Sequence, residues 1–212
     1  MDEHLITTVD ALRELYRMPS ERVVAKKTAT IDAKTRSVIE TSPFFLLATA
    51  DENGACDVSP RGGPSGQLRV LDDGRVAFPD LSGNNLLDSL ENLVRNPQAG
   101  LLVLTPGSDD TLRIDGRASL STDPTLLSSW DDLVRTPKVA VVIEVENTFI
   151  HCAKAFRRSQ FWDPESWEHY RDVPDAVELF LGHTGIDADL TEYREAFEAG
   201  YESDLRKEQP ST

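Results

Sequence analysis

Short hydrophobic runs of strand length dominate the chain between residues 44 and 151. The first two runs flank Asn53-Gly54, a dipeptide that is the strongest short-range indication of a β-hairpin. A second hairpin is predicted over residues 67–79, with Asp73-Gly74 at its tip. The spacing therefore predicts two successive antiparallel strand pairs.

The hydrophobic pattern continues with a third hairpin over residues 99–120, whose turn falls near residues 106–109. Residues 138–152 predict one long strand, or two strands with a bend around Glu146-Asn147. Six or seven strands joined mostly by tight turns imply an antiparallel sheet. Because the apolar runs are too continuous for a sheet with one solvated face, we expect closure into a small split β-barrel, which removes exposed edges.

Helical spacing replaces this pattern in four places. Residues 7–17 and 32–42 predict helices that Thr7 or Thr8 and Asp32 would cap. A helix is predicted over residues 84–96, and another begins at Asp123-Pro124. The chain is helical and acidic after residue 160, so the fold class is α+β, mainly β with peripheral helices.

We predict a single domain, because the sequence has neither an internal repeat nor a low-complexity linker. It divides into an N-terminal helical decoration (residues 1–42), a barrel core (43–160) and a C-terminal helical segment (161–212).

The net charge of −15 over 212 residues argues against some classes of binding partner for this protein. Such a surface repels nucleic acid and anionic lipid, since phosphate contacts need clustered Lys and Arg. No apolar run approaches the roughly 18–20 residues that span a bilayer, and the acidic start lacks the features of a signal peptide. With only Cys56 and Cys152 as cysteines, these features predict a cytoplasmic protein with no nucleic-acid or membrane partner.

Two stretches are candidates for binding an anion. Residues 57–66 predict a long glycine-rich loop in which Arg61 stands between Pro60 and Gly62-Gly63, and a guanidinium suits phosphate. A solvated surface arginine accounts for this loop equally well. Ser82, Asn84 and Asn85 lie at the predicted start of a helix, where unpaired N–H groups attract anions, although helix capping alone also explains them.

Cationic residues occur in two further places. Arg113 and Arg117 project from one face of a predicted strand, and Arg113 is the one placed to line a groove. Residues 151–162 hold the densest cationic cluster of the chain beside Trp162. A charge run is usually a solvated face, but in so acidic a protein this one favours a local positive potential. Its cations are Lys154, Arg157 and Arg158.

No arrangement of residues identifies a reaction centre carried by the protein itself. The four histidines show no metal-ligand spacing, and there is no nucleophile elbow, P-loop or dinucleotide fingerprint. The protein therefore only binds a ligand, or a cofactor supplies its chemistry.

The order of these elements resembles the pyridoxamine 5'-phosphate oxidase-like, FMN-binding split-barrel family over residues 30–165. The similarity rests on the strand and loop of residues 44–62 and on a helix followed by the sequence NPQAGLL. It also includes the sequence TLRIDGRASL, and the segment HCAKAFRRSQFWDP is similar to a branch of probable FMN-dependent enzymes of unassigned substrate.

The resemblance implies FMN as cofactor and a homodimer with the flavin at the subunit interface. It places Val58, Ser59 and Arg61 against the flavin ring, and Ser82, Asn84 and Asn85 at the phosphate. Arg113 falls near the strand that a partner subunit contributes. Lys154, Arg158 and Trp162 are implied as further contacts to the phosphate or the ring.

The family's oxidases commonly carry Arg-Lys where this chain has Asn84-Asn85, and they end in a segment that grips pyridoxal phosphate and is missing here. The resemblance thus implies an FMN-dependent oxidoreductase acting on an unidentified small molecule through flavin N5, with no catalytic residue identified. The alternatives are a flavin- or haem-binding protein without turnover, with His151 or His183 as haem ligand, and an enzyme that uses a diffusible deazaflavin.

Overall fold

Seven antiparallel strands form one sheet in the computed structural model, which describes residues 4–210. Their spatial order is β2-β1-β5-β6-β7-β4-β3, so β2 and β3 are the two edges and the hydrogen-bonded sheet is not closed. The predicted α+β split-barrel class and strand number are confirmed. The strands are β1 (Phe44–Ala50), β2 (Cys56–Gly62), β3 (Arg69–Asp72), β4 (Arg75–Pro79), β5 (Gln98–Leu104), β6 (Thr111–Ser121) and β7 (Ala140–His151).

The predicted hairpin turns set the register of the sheet. Asp72 pairs with Arg75 around Asp73-Gly74, and β6 pairs with β7 along its whole length. A register shift between Asp115 and Gly116 leaves Glu146 as an extra residue of β7. Of the two predicted alternatives, the structure shows the single long strand, and a β-bulge at Glu146 takes the place of the bend.

Gly116 lies where β6 approaches β7 closely. A Cβ atom at this position would lie 2.0 Å from the carbonyl oxygen of Glu144. Only a residue without a side chain lets the two strands meet here.

The core lies on one face of the sheet and contains Phe45 and Phe78, whose rings meet edge to face at 4.9 Å. A second, smaller cluster surrounds Trp130, which is fully buried and donates its indole N–H to the carbonyl of Gln67 at 2.9 Å. Together the two clusters fix β4 and the segment after β6, and they carry most of the buried apolar surface.

Nine short helical segments surround the sheet in the described residues 4–210. Their caps follow the sequence, since Thr8, Asp32 and Asp123 each accept a hydrogen bond from the first turn that follows them. They are α1 (Val9–Leu15), α2 (Glu21–Ala25), α3 (Ala33–Thr41), α4 (Asp88–Arg95), α5 (Pro124–Ser128), α6 (Lys154–Ser159), a 3₁₀ helix (Pro164–Tyr170), α7 (Ala176–Thr184) and α8 (Leu190–Lys207). None of the helices within residues 4–210 is long and apolar enough to cross a membrane.

The segment before α3 is attached to β7 and also to the turn between β3 and β4, where the N–H of Ile31 donates to the carbonyl of Asp73 at 2.7 Å. Thr28 and Thr148 exchange two backbone hydrogen bonds of 3.2 and 2.6 Å, and Lys26 Nζ donates to the carbonyl of Ile150 at 2.9 Å. No residue of α1 or α2 is buried. The position of Lys26 relative to β7 is thus set by backbone pairing.

The predicted loop over residues 57–66 is corrected by the structure. β2 continues to Gly62, so Arg61 lies within the strand and pairs with Phe45, while the loop begins at Gly63. Pro60 is accommodated because β2 is an edge strand, where a missing N–H leaves no bond of the sheet unmade.

Candidate functional site

Arg61 joins the edge strand β2 to the loop that follows β4. Its guanidinium donates from Nη1 to Asp80 Oδ1 at 3.1 Å and from Nε to Ser59 Oγ at 3.3 Å. The Arg61 and Asp80 side chains are each 23% exposed, so the pair is half-buried. In the described residues, no acceptor contacts the remaining nitrogen, Nη2.

A chain of hydrogen bonds runs from Arg61 beneath β2. The Oγ atoms of Ser59 and Ser89 are 3.0 Å apart, and Ser89 donates to Asp57 Oδ2 at 2.6 Å. Since a hydroxyl has one proton, Ser89 must accept from Ser59, which leaves Ser59 as the acceptor for Arg61. The donors therefore all point one way, from Arg61 towards the carboxylate of Asp57.

The same carboxylate attaches α4 to the strands. Thr49 donates to Asp57 Oδ2 at 3.3 Å and accepts from Asn92 Nδ2 at 3.1 Å. Thr49 and Ser89 are buried, so these bonds are shielded from water. The network holds α4 in a fixed position relative to Ser59 and Arg61.

The start of α4 differs from the sequence prediction of a helix over residues 84–96. The helix begins at Asp88, its N-cap is Leu87, and no side chain caps it. Neither Ser82 nor Asn84 is a cap, and Asn84 Oδ1 instead accepts from the N–H of Leu86 at 3.0 Å. The prediction failed because two residues, Asn85 and Leu87, adopt left-handed backbone conformations with φ 60°, which no helical continuation allows.

The loop between β4 and α4 presents unused donors. Residues 82–85 are exposed, and within the described part of the chain their backbone N–H groups meet no acceptor. They lie beside the uncapped N-terminus of α4, whose first-turn N–H groups are also available. The acidic first-turn residues Asp88 and Glu91 weaken the positive potential at this end.

A polar cavity of about 450 Å³ adjoins the other end of β2. Among its described lining residues Arg95 is the one cation, and it pairs with Glu91 at 2.7 Å. Because carboxylates outnumber cations, this cavity does not suit a phosphate. Its lining residues are Asp51, Ala55, Cys56, Asp57, Val58, Asp88, Glu91, Asn92 and Arg95.

Two residues of the segment after β7, Arg157 and Trp162, make structural contacts within this chain. Trp162 is half-buried, donates its indole N–H to the carbonyl of Ser108 at 2.8 Å, and stacks on Phe156 at 5.9 Å. Arg157 pairs with Asp109 at 3.0 Å. These contacts attach α6 to the turn between β5 and β6.

Of the other cations predicted here, Lys154 and Arg158 are exposed on α6. Neither they nor Trp162 contacts Ser59, Arg61 or residues 82–85 within the described chain.

Arg113 lies on the exposed side of β6, where it pairs with Asp115 at 2.7 Å. Arg113, Lys26 and Lys27 all lie close to the ring of Phe149, at 5.8, 5.1 and 5.3 Å from its centroid. Sequence reasoning missed the two lysines, because only the Thr28–Thr148 pairing brings them to β7. It also missed Asp57, although Asp57, Ser59 and Arg61 alternate along one strand and so share a face.

His151 stands beside this cluster, and its titration tests the arrangement. Partial burial, together with the positive charges of Lys26 and Arg113, lowers the pKa of His151 below its ordinary value of about 6.5. We expect an NMR titration to show this lower pKa in the wild type and a rise in Arg113→Met. No difference between the two proteins would contradict the placement of Arg113.

The sign of the effect on stability follows from the same shift. A histidine whose pKa is lower folded than unfolded binds more protons in the unfolded state between the two values. The contribution of His151 to the stability of the fold is thus fully present above pH 6.5, and it is lost as the pH falls through the pKa of His151 in the folded protein.

Comparison with known structures finds similar folds at low identity. HupZ of Group A Streptococcus is 18% identical, with a TM-score of 0.47, and the match covers 57% of this chain and 93% of HupZ. An FMN-binding protein of Syntrophomonas wolfei is 15% identical, with a TM-score of 0.43 over 55% of this chain and 83% of that one. Similarity at this level does not bear on function.

A third structure is a protein related to general stress protein 26, from Clostridium acetobutylicum. It is 13% identical, with a TM-score of 0.39 over 56% of this chain and 85% of that one. The search of curated proteins found no match.

The sequence itself provides the family assignment. Residues 31–152, more than half of the chain, match the family model described as pyridoxamine 5'-phosphate oxidase. The matched range includes all seven strands, the Arg61–Asp80 pair and the loop before α4. The chain therefore belongs to the pyridoxamine 5'-phosphate oxidase family.

Proposed function

We propose that this protein binds FMN between β2 and the loop of residues 82–87, and that it acts as an FMN-dependent oxidoreductase on a small molecule. The observation that carries the proposal is the junction at Arg61. There a half-buried guanidinium with one free nitrogen pairs with Asp80, two residues before a loop whose four backbone N–H groups meet no acceptor in the described chain. Family membership supports a flavin as the ligand of such a junction.

The residues at the junction suit an anionic group followed by a flat ring. The N–H groups of residues 82–85 and Arg61 Nη2 are donors only, as a phosphate requires. Val58 is 61% exposed on the opposite face of the same edge strand, where it offers apolar surface to a planar ring system that passes over the β2 edge. Ser82, Asn84 and Asn85 would hold the phosphate mainly through their backbones, since Asn84 already uses its side-chain oxygen.

Asp80 determines the side from which an anion can best approach Arg61. Its carboxylate neutralises part of the guanidinium and lies 3.1 Å from Nη1, so an anion gains most by approaching Nη2. The bond from Nε to Ser59 fixes the plane of the guanidinium through Ser89 and Asp57. These residues thus orient a single donor towards the ligand.

When bound, FMN would supply hydride or electron transfer through N5, and the protein would supply binding, orientation and electrostatics. We further propose a homodimer in the cytoplasm, in which a second copy brings Arg113, Lys154 and Arg158 towards the flavin. Within one chain those residues lie apart from Arg61, so the proposal requires the second copy. Trp162 could contribute only the ring face that Phe156 leaves uncovered.

A binding protein without turnover is the second candidate. The specific observation is His151, which is half-buried with its ring 5.0 Å from that of Phe149, and whose lowered pKa favours the neutral imidazole that binds haem iron. A haem would produce a Soret band, whereas FMN would produce the two absorption bands of an oxidised flavin. Reduction of bound flavin by a nicotinamide donor, followed by reoxidation, would exclude the binding-only alternative.

The first variant to make is Arg61→Ala, with release and mass identification of the bound chromophore. We expect it to bind FMN at least about tenfold more weakly than wild type, because a charge-assisted hydrogen bond contributes about 1.5–3 kcal/mol. Arg75→Ala is the matched control, since Arg75 also forms a pair with an aspartate but lies at the start of β4. Affinity is measured by fluorescence titration.

Equal FMN affinities in the two variants would contradict the proposed position of the phosphate. Wild-type protein that contains no flavin and fails to take up added FMN would contradict FMN as the cofactor.

A further inference from the structure

Three cations surround one aromatic ring on the exposed side of β6 and β7. Lys26, Lys27 and Arg113 all lie within the roughly 6 Å of the Phe149 ring over which a cation is attracted to it. They converge although acidic residues outnumber basic ones in this chain, 37 to 22. Repulsion among the three positive charges opposes this arrangement, so other contacts must hold the three side chains together.

Backbone pairing places the two lysines. The Thr28–Thr148 hydrogen bonds bring the end of α2 against β7, and Lys26 donates to the carbonyl of Ile150. Arg113 faces Phe149 in the register of β6 and β7. The cluster is therefore built from three separate chain segments rather than from adjacent surface residues.

The charges of this cluster are largely uncompensated. Asp115 pairs with Arg113 at 2.7 Å, but no carboxylate of the described residues lies within ion-pair distance of Lys26 or Lys27. Two positive charges thus remain, which match a phosphate dianion better than a carboxylate. Half-buried His151 adds a ring nitrogen at the same place.

We propose that Lys26, Lys27 and Arg113 form an anion-binding site for the phosphate group of a small molecule. Within one chain this site is distinct from the Arg61 junction. The phosphate lies against the ammonium and guanidinium donors, whose charged groups lie close to the ring of Phe149. Because the proposed function also brings Arg113 towards the flavin of a second copy, Lys26 and Lys27 are the residues of this site that are independent of the FMN proposal.

The test is calorimetric titration of the flavin-free full chain with inorganic pyrophosphate at low ionic strength. We expect saturable binding in wild type and at least fivefold weaker binding in Lys27→Met and in Arg113→Met. Lys27 is the most informative position, because ring contact is its only described role. Lys34→Met, which removes an exposed lysine from α3, is the matched control.

Arg61→Ala separates this site from the proposed FMN site. We expect the pyrophosphate binding that depends on Lys27 to stay within about twofold of wild type in this variant, while its FMN affinity falls. The inference is wrong if wild type shows no saturable binding, or if Lys34→Met weakens binding as much as Lys27→Met. It is also wrong if Arg61→Ala abolishes binding that Lys27→Met leaves intact.

Discussion

Trp130→Ala is expected to lower the free energy of unfolding by about 3–5 kcal/mol, the usual cost of removing a large buried aromatic side chain. The Trp130 ring is fully buried in the smaller core cluster, and its N–H is the described partner of the Gln67 carbonyl. The guanidinium of Arg69 lies 5.5 Å from the ring and loses that contact too. We expect the midpoint of urea denaturation to fall with little change in slope.

Trp167→Ala is the matched control for this change. Trp167 also donates its indole N–H to a backbone carbonyl, that of Phe161 at 3.0 Å, but it is 52% exposed. The two variants therefore lose the same kind of hydrogen bond and differ in burial. If their denaturation midpoints agree, the smaller cluster does not contribute to the stability of the sheet.

Gly116→Ala is expected to destabilise the fold by about 3 kcal/mol, at the upper end of the cost of overpacking. The added Cβ would lie 2.0 Å from the Glu144 carbonyl oxygen and 3.0 Å from Ile143 Cγ2. Neither the backbone oxygen nor the buried side chain can move without separating β6 from β7. Chemical denaturation monitored by circular dichroism measures the loss.

Gly100→Ala tests whether the effect is specific to the contact between β6 and β7. Gly100 also lies in the sheet, on β5, but a Cβ there would meet its nearest atoms at 3.5 and 3.8 Å, which is ordinary contact. We expect a change within about 1 kcal/mol. A Gly116→Ala protein as stable as Gly100→Ala would show that the strands can separate at low cost.

Local signals in the sequence were sufficient for most of the fold. The turns at Asn53-Gly54 and Asp73-Gly74 fix two hairpins by themselves, and Asp32 and Asp123 cap helices through contacts within three residues. Such features depend on neighbours in the chain, so the sequence alone identifies them.

The errors arose where distant contacts override local preference. Pro60 and the glycines after it favour a loop, yet pairing with β1 extends β2 to Gly62. Asn84 is a good helix cap in isolation, but the left-handed residues Asn85 and Leu87 delay α4 to Asp88. In both cases the element itself was predicted correctly, but one of its ends, the end of β2 or the start of α4, was placed wrongly.

The candidate site was only partly accessible to sequence reasoning. Arg61 was predicted from its residue type, whereas its partner Asp80 and the lysines near Phe149 depend on pairings over 19 or more residues. The roles of Val58, Ser59, Ser82 and Asn85 in binding FMN remain predictions.

The open sheet has a consequence for the behaviour of the protein at high concentration. Each free edge is a template on which a strand of another molecule could add and begin an aggregate. On β2 that row of donors is interrupted by Pro60, while β3 has only four residues and carries charged residues at both ends. Both edges thus carry features that oppose the addition of a strand from another chain, although the sheet is not closed.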